Sequence, residues 1–282
     1  MRVKLDGFLS REFIGDLAPP MDLGLAPAAE YVSEQVEILD ARPLQARSAS
    51  EAEFFGQHGF VLLKHNTQIR DWQRELASTY VSEAVELIHD RLLPGRRLEI
   101  VRGSMALRRG PKDRYYATRV HADGPLSAHG YALNVGAVGG AQAIDQWRAH
   151  YAREDVSGFV SIGFWRTTSM QRPLQHMPLA MCDPNRVDPR DVVPTTSTII
   201  APAGRTTHHL VLRHDPGQAW YYYPQMTGDE VVAMKACEFW KDDPGAHPQN
   251  VFHAAFDDPT APLDAERRQS FDHRIGVMIL RD

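Results

Sequence analysis

Hydrophobic positions change period along the chain. From 69 to 92 the apolar residues Ile69, Trp72, Leu76, Tyr80, Ala84, Leu87 and Ile88 recur at helical spacing, and Arg70, Arg74, Glu83, Glu86 and Asp90 fill the other side. This spacing predicts one long amphipathic helix, capped by Asn66 or Thr67 and closed by Pro94-Gly95. Just upstream, residues 59–64 alternate too little for a surface strand and read as a buried one that stops at His65-Asn66. Residues 15–50 are rich in Pro, Ala and Asp. They predict an irregular arm with a short strand at 37–40.

Downstream the texture becomes β. Residues 97–102, 119–123, 158–167, 198–201, 208–214, 219–223 and 274–280 are short runs rich in Val, Ile, Phe, Tyr and Trp, most of them bounded by turn residues. Many short strands so spaced predict a barrel or sandwich. Two helical insertions interrupt it, at 141–151 and from Thr227 to about Trp240; the second opens on Thr227-Gly-Asp-Glu230, a capping-box pattern. The expected fold class is mainly β with flanking α-helices. The expected organisation is one domain over 1–282, with an N-terminal arm at 1–58 and a helix-flanked core at 59–282.

Composition narrows the function classes. With 282 residues and 43% apolar content the chain can bury a large core. A net charge of -5 and scattered Lys and Arg give no basic field for nucleic acid. Cys182 and Cys237 are too few for a disulfide framework, which points to a reducing cytoplasm. The first residues lack the apolar run of a signal peptide, and no 18-residue apolar stretch follows, so no membrane partner is expected.

Thirteen histidines are present, so position must select among them. His121-Ala-Asp123 stands out because residues two apart on a strand share a face, letting imidazole and carboxylate converge on one ion. A third ligand from a distant strand would complete the facial triad of Fe(II) oxygenases. Alone, the tripeptide is weak; His-x-Asp also arises by chance as solvated residues near a turn.

The surrounding blocks are more specific. Asp40-Ala-Arg42, Gly59-Phe60, Leu107-Arg-Arg109, Val120-His-Ala-Asp123, Phe164-Trp-Arg166, Pro178-Leu-Ala-Met-Cys-Asp183, Trp220-Tyr-Tyr-Tyr-Pro224, Asp229-Glu-Val231 and His253-Ala-Ala-Phe-Asp-Asp-Pro259 follow one another nearly end to end. In this order they resemble the iron and 2-oxoglutarate-dependent oxygenases of the aspergillic-acid hydroxylase, fungal gibberellin desaturase and cephamycin methoxylation protein type. The resemblance implies a double-stranded β-helix (jelly-roll) core and a metal held by His121, Asp123 and His253. His247 and the His208-His209 pair compete for the third place, but lack the Ala-Ala-Phe-Asp-Asp-Pro context or a carboxylate neighbour. It implies Fe(II), 2-oxoglutarate and O2 as cofactor and co-substrates, a small-molecule substrate hydroxylated or desaturated, and release of succinate and CO2. An intact Asp123 disfavours halogenation.

Such enzymes grip the distal carboxylate of 2-oxoglutarate with a basic residue near the last strand, and arginine matches a carboxylate bidentately. Arg274 and Arg268 both follow His253. Arg274 is preferred because it opens an apolar strand and Gly276 on the same face leaves room for a ligand. Alternatively Arg274 ends a loop and pairs with Asp272, leaving Arg268. Arg166 is a further candidate for substrate or co-substrate; Trp165 reads as a core residue and Cys182 as a buried small apolar one. Thr167 stands where the family has proline, which puts the local strand exit in doubt. Two other readings stay open: a cupin-like metal enzyme that does not use 2-oxoglutarate, and a non-catalytic accessory protein of a biosynthetic pathway.

Overall fold

Val3 and Leu5 point inward and Arg2, Lys4 and Asp6 outward along the first strand, β1 (Arg2–Leu9), so even the N-terminal residues belong to a sheet. The structure is a computed structural model that describes residues 1–21, 28–72, 79–101, 106–110, 116–198 and 204–282. After β1 come β2 (Tyr31–Asp40), α1 (Arg42–Gln45), α2 (Glu51–His58), β3 (Phe60–Lys64), α3 (Val81–Leu87), β4 (Leu98–Val101) and β5 (Ala106–Arg109). There follow α4 (Ala128–Gly139), α5 (Ala141–Ala152), β6 (Val156–Thr167), β7 (Leu179–Cys182), β8 (Val192–Ser197), β9 (Thr207–Leu212), β10 (Trp220–Tyr222), β11 (Glu230–Trp240), β12 (His253–Ala255) and β13 (Ser270–Leu280).

One sheet runs β1-β2-β10-β7-β12, and the other runs β3-β11-β6-β13 with β4 and β5 both paired to β13. The β8-β9 hairpin and the segment around His121 extend the first sheet through bridges from His121 to His253 and from Ala122 to Leu210. The fold is a mainly β jelly roll with flanking helices. Its main core includes the face of β3, β6, β11 and β13 opposite to Arg274, where Val61, Ile162, Phe164, Val231, Ile275 and Val277 are buried. Each such side chain contributes about 1.5–3 kcal/mol of transfer free energy. Gly7 has φ +87 and leaves room where a Cβ would lie 2.6 Å from that of Arg119, so β1 can bulge there and hold the chain entering the His121 segment.

Several expectations are corrected. The stretch 1–58 is no irregular arm: β1 and β2 pair over their length, and β2 pairs in parallel with β10. The capping-box segment is the strand β11. Thr227 N–H does donate to the Glu230 carboxylate at 2.9 Å, but this closes a turn, and the chain then runs buried between β3 and β6. Residues 119–123 are extended but form isolated bridges rather than a ladder strand. Thr198 follows β8, and the rest of the predicted 198–201 strand lies outside the described residues.

The predicted 69–92 helix is shorter. Among described residues helix begins near 79, includes α3 and ends in a π-helical turn at Ile88–Leu92, while 73–78 lie outside them. Thr67 caps no helix. Its hydroxyl and the Gln68 N–H both donate at 2.6 Å to Glu83, which reaches back from α3. After Thr167 the chain turns at Ser169, φ 54°, and Glu266 accepts the N–H groups of Gln171 and Arg172, so no proline is needed at the exit.

Candidate metal centre

His121 and His253 face each other as a hydrogen-bonded antiparallel pair: His253 N–H donates to His121 O at 2.8 Å and His121 N–H returns the bond at 3.2 Å. This register brings two distant histidines together, with ring centroids 4.4 Å apart. Asp123, two residues on, adds its carboxylate to the same space. One ligand atom from each of the three lies within 4.8 Å of the others. The exit of the segment is fixed at Gly124, where a Cβ would meet Ala236 O at 2.7 Å, and by Asn250, which donates to both Gly124 O and Ala236 O.

The ring orientations suit a metal. His121 Nδ1 lies 2.7 Å from Arg119 O, and His253 Nδ1 lies 3.0 Å from Val251 O. Each Nδ1 therefore carries the proton it donates, and each Nε2 keeps a lone pair turned to the centre. Burial, reinforced by His253, brings the His121 pKa down to about 3, so this imidazole is neutral at ordinary pH. Burial pushes Asp123 up, but Arg274 and the neighbouring histidines outweigh it and hold the carboxyl well below the usual range. Arg274 Nη2 lies 2.6 Å from Asp123 Oδ2 and 3.3 Å from Asp272 Oδ2. Two nitrogens and an ionised oxygen, with opposite sides open, fit a divalent ion such as Fe(II).

Two cavities meet here, sharing Asp123, His209 and Arg274. The smaller one is lined beyond His121, Asp123 and His253 by Leu107, Arg109, Trp165, Ser270, Asp272 and Arg268. Arg268 is 1% exposed, donates to Met177 O at 2.5 Å, and lies 4.2 Å from the Tyr116 ring centroid. Burial, with no facing carboxylate among the described residues, lowers its pKa to about 9. The larger cavity, about 440 Å³, lies beneath α4 and α5 and is walled by Val101, Tyr131, Val135, Trp147 and Ala236.

The other sequence candidates are placed differently. Arg166 lines neither cavity; it is fully buried and donates to His65 O at 3.1 Å and Gly228 O at 2.5 Å. Trp165 is both a core residue and a wall of the smaller cavity. His247 lies 3.0 Å from Val187 O, away from the triad. Burial raises the Cys182 thiol, consistent with an inert residue.

The sequence offers His209 only as a rival ligand and Asp272 only as a partner of Arg274, a pairing that the structure shows; the helix at 141–151 is α5, whereas α4 has no counterpart in the sequence reading. His209 Nε2 lies 2.8 Å from Thr207 Oγ1 and its Nδ1 3.9 Å from Asp123 Oδ1. The available signal is the two-residue spacing: Asp272 and Arg274 share a face as Thr207 and His209 do.

The fold is similar to that of the iron and alpha-ketoglutarate-dependent endoperoxidase NvfI: TM-score 0.72, 20% identity, covering 100% of this chain and 98% of that one. A single-substitution variant of NvfI matches with TM-score 0.72 and 19% identity. Aspirochlorine biosynthesis protein N of Aspergillus oryzae is 29% identical over 118 residues, covering 41% of this chain. The match spans 46%, about half, of that curated relative's length. The sequence profile of the oxidoreductase/YMDC permease-like domain matches residues 19–278, and the chain belongs to that family.

Proposed function

We propose that the protein is an Fe(II)- and 2-oxoglutarate-dependent oxygenase that hydroxylates or desaturates a small, secondary-metabolite-like molecule. The observation that carries this is the pair of cavities meeting at His121, Asp123 and His253, with a buried arginine in the smaller one that faces no carboxylate among the described residues. The named dependence of NvfI on iron and alpha-ketoglutarate, and the biosynthetic role in the name of the Aspergillus relative, support it.

His121, Asp123 and His253 would hold the iron. Bound there with 2-oxoglutarate and O2, iron supplies the oxidising power for an unactivated C–H bond, with release of succinate and CO2. The chain's own residues position and exclude. Arg268, desolvated and paired with no acid among the described residues, grips the distal carboxylate of the co-substrate. Arg274, preferred from sequence for that task, is already engaged by Asp123 and Asp272 and instead orients the Asp123 carboxylate. The apolar roof keeps water from the reacting carbon. A reducing cytoplasm suits the two free, buried thiols Cys182 and Cys237.

The test is an anaerobic titration of Fe(II) with 2-oxoglutarate, watching for the weak visible charge-transfer band of the chelate, then measurement of succinate after oxygen is admitted. Absence of both in folded protein, with candidate substrates present, sinks the proposal.

A further inference from the structure

The charges lining the two cavities differ in kind. In the larger one, the wall residues that carry or readily take up charge are Asp123, His150, His209 and Arg274. Arg274 faces two carboxylates, at 2.6 and 3.3 Å. His150 Nε2 lies 2.9 Å from Glu99. His209 is joined to Thr207. The uncharged polar groups are largely used as well: Asn134 closes both ends of its amide on the His208 backbone, at 2.9 and 2.6 Å, and Tyr131 hydrogen-bonds Ser161. What remains open is an apolar wall of Val101, Val135, Ala143, Ala236 and the Trp147 ring, with Val138, Gly139 and Gln146 exposed at the mouth. Among the described residues Trp147 Nε1, His209 Nδ1 and Arg274 Nε are polar atoms without a hydrogen-bond partner, and His150 Nε2 has only its ion pair to Glu99.

We infer that the large cavity takes an uncharged, mainly apolar organic molecule and rejects carboxylated, phosphorylated or carrier-linked anionic substrates, so that the two cavities sort their occupants by charge. This rests on the oxygenase reading and names its substrate class. A carboxylate entering beneath α4 and α5 would lose its hydration, meet Asp123, and find Arg274 Nη2 already shared between two acids, with Nε left to it. The smaller cavity shares Asp123 and Arg274 and is also lined by Asp272, but it adds two cations that the larger one lacks, Arg109 and Arg268. Arg268 is buried with no acid paired to it among the described residues, a fixed positive charge for a dianion. A volume of about 440 Å³ is that of a site enclosing a drug-sized ligand.

The experiment uses a matched pair of probes, 1-naphthamide and 1-naphthoate, with binding read by quenching of Trp147 emission against a Trp147→Phe control and by calorimetry. It is run on metal-free and on metal-loaded anaerobic protein, because the apolar walls exist without iron. The amide is expected to bind at least about tenfold more tightly than the carboxylate. Ala143→Trp, which fills the roof, should weaken the amide, and Gln146→Arg, which places an unpaired cation at the mouth, should narrow the preference. Equal or tighter binding of the carboxylate, or binding of neither probe, overturns the inference. A normal preference in protein that gives no chelate band would instead leave it standing and remove the oxygenase proposal.

Discussion

Arg274 Nη2 lies 2.6 Å from Oδ2 of Asp123, the acid whose carboxylate the fold brings together with the rings of His121 and His253. The same guanidinium reaches Asp272, so one cation holds two buried carboxylates. Arg274→Met should leave both acids without that partner in metal-free protein and cost about 3–5 kcal/mol of stability. A divalent ion restores positive charge beside Asp123. Metal should therefore raise the unfolding midpoint more in the variant than in the natural protein; equal stabilisation would show that Arg274 and the ion do not share that carboxylate.

Arg268 is the opposite case, a buried cation with no acid among the described residues to satisfy it. Arg268→Met removes an uncompensated charge, so thermal stability should hold or rise. The same change should raise the 2-oxoglutarate concentration needed for half-saturation about 10–150-fold, the equivalent of one lost charge-assisted contact of about 1.5–3 kcal/mol. The chelate-band titration checks the second effect and calorimetry the first. A larger loss of 2-oxoglutarate binding in Arg274→Met than in Arg268→Met would return the co-substrate to Arg274.

The sequence makes some of this visible. Continuous apolar runs mark β6 and β13, and two-residue spacing puts His121 and Asp123 on one face. Residues 227–240 mislead because a strand buried on both faces carries no alternation, and its Thr227 and Glu230 form the same side-chain bond in a turn as at a helix start. The strands at the N-terminus are obscured by the charges of Arg2, Lys4 and Asp6, which are the outward positions of β1. The state of an arginine is not written in its neighbours. Arg274 and Arg268 differ in which acids the fold brings to them, and Arg166 in being closed on the carbonyls of His65 and Gly228.

Arg166 accordingly should matter to stability alone. Arg166→Ala removes the charge-assisted hydrogen bonds that the fully buried guanidinium makes to His65 O and Gly228 O, each worth about 1.5–3 kcal/mol. The urea midpoint should fall while 2-oxoglutarate and metal titrations of the remaining folded protein are unchanged; a selective loss of 2-oxoglutarate binding would give Arg166 the role considered from sequence.

For the third ligand, His253→Ala and His247→Ala form a discriminating pair. His253 supplies an Nε2 to the triad, whereas His247 is closed on Val187 O and Pro248 O. His253→Ala should weaken Fe(II) or Mn(II) binding by more than the about 10–100-fold typical of outer-shell changes. His247→Ala should leave the metal titration as it is. Comparable losses in the two variants would mean that the triad is not the metal site.

Acid should destabilise the metal-free protein in a defined window. Burial brings His121 down to about 3 and His209 to about 4, against an ordinary value of 6.5. Between about pH 6.5 and pH 4 the unfolded chain therefore takes up protons that the folded chain refuses, and stability falls as pH falls through that range. Above the ordinary histidine value both states hold neutral imidazoles and these two groups contribute no slope. The ionised Asp123 adds its own loss only lower, below the ordinary carboxylate range. Urea midpoints in chelator at about pH 7.5, 6 and 5 should decline below the first step. His209→Gln, which removes one titrating group without touching a triad residue, should make the decline shallower. A midpoint that stays level from about pH 7.5 to 5 would mean that these imidazoles titrate alike in the folded and unfolded chain.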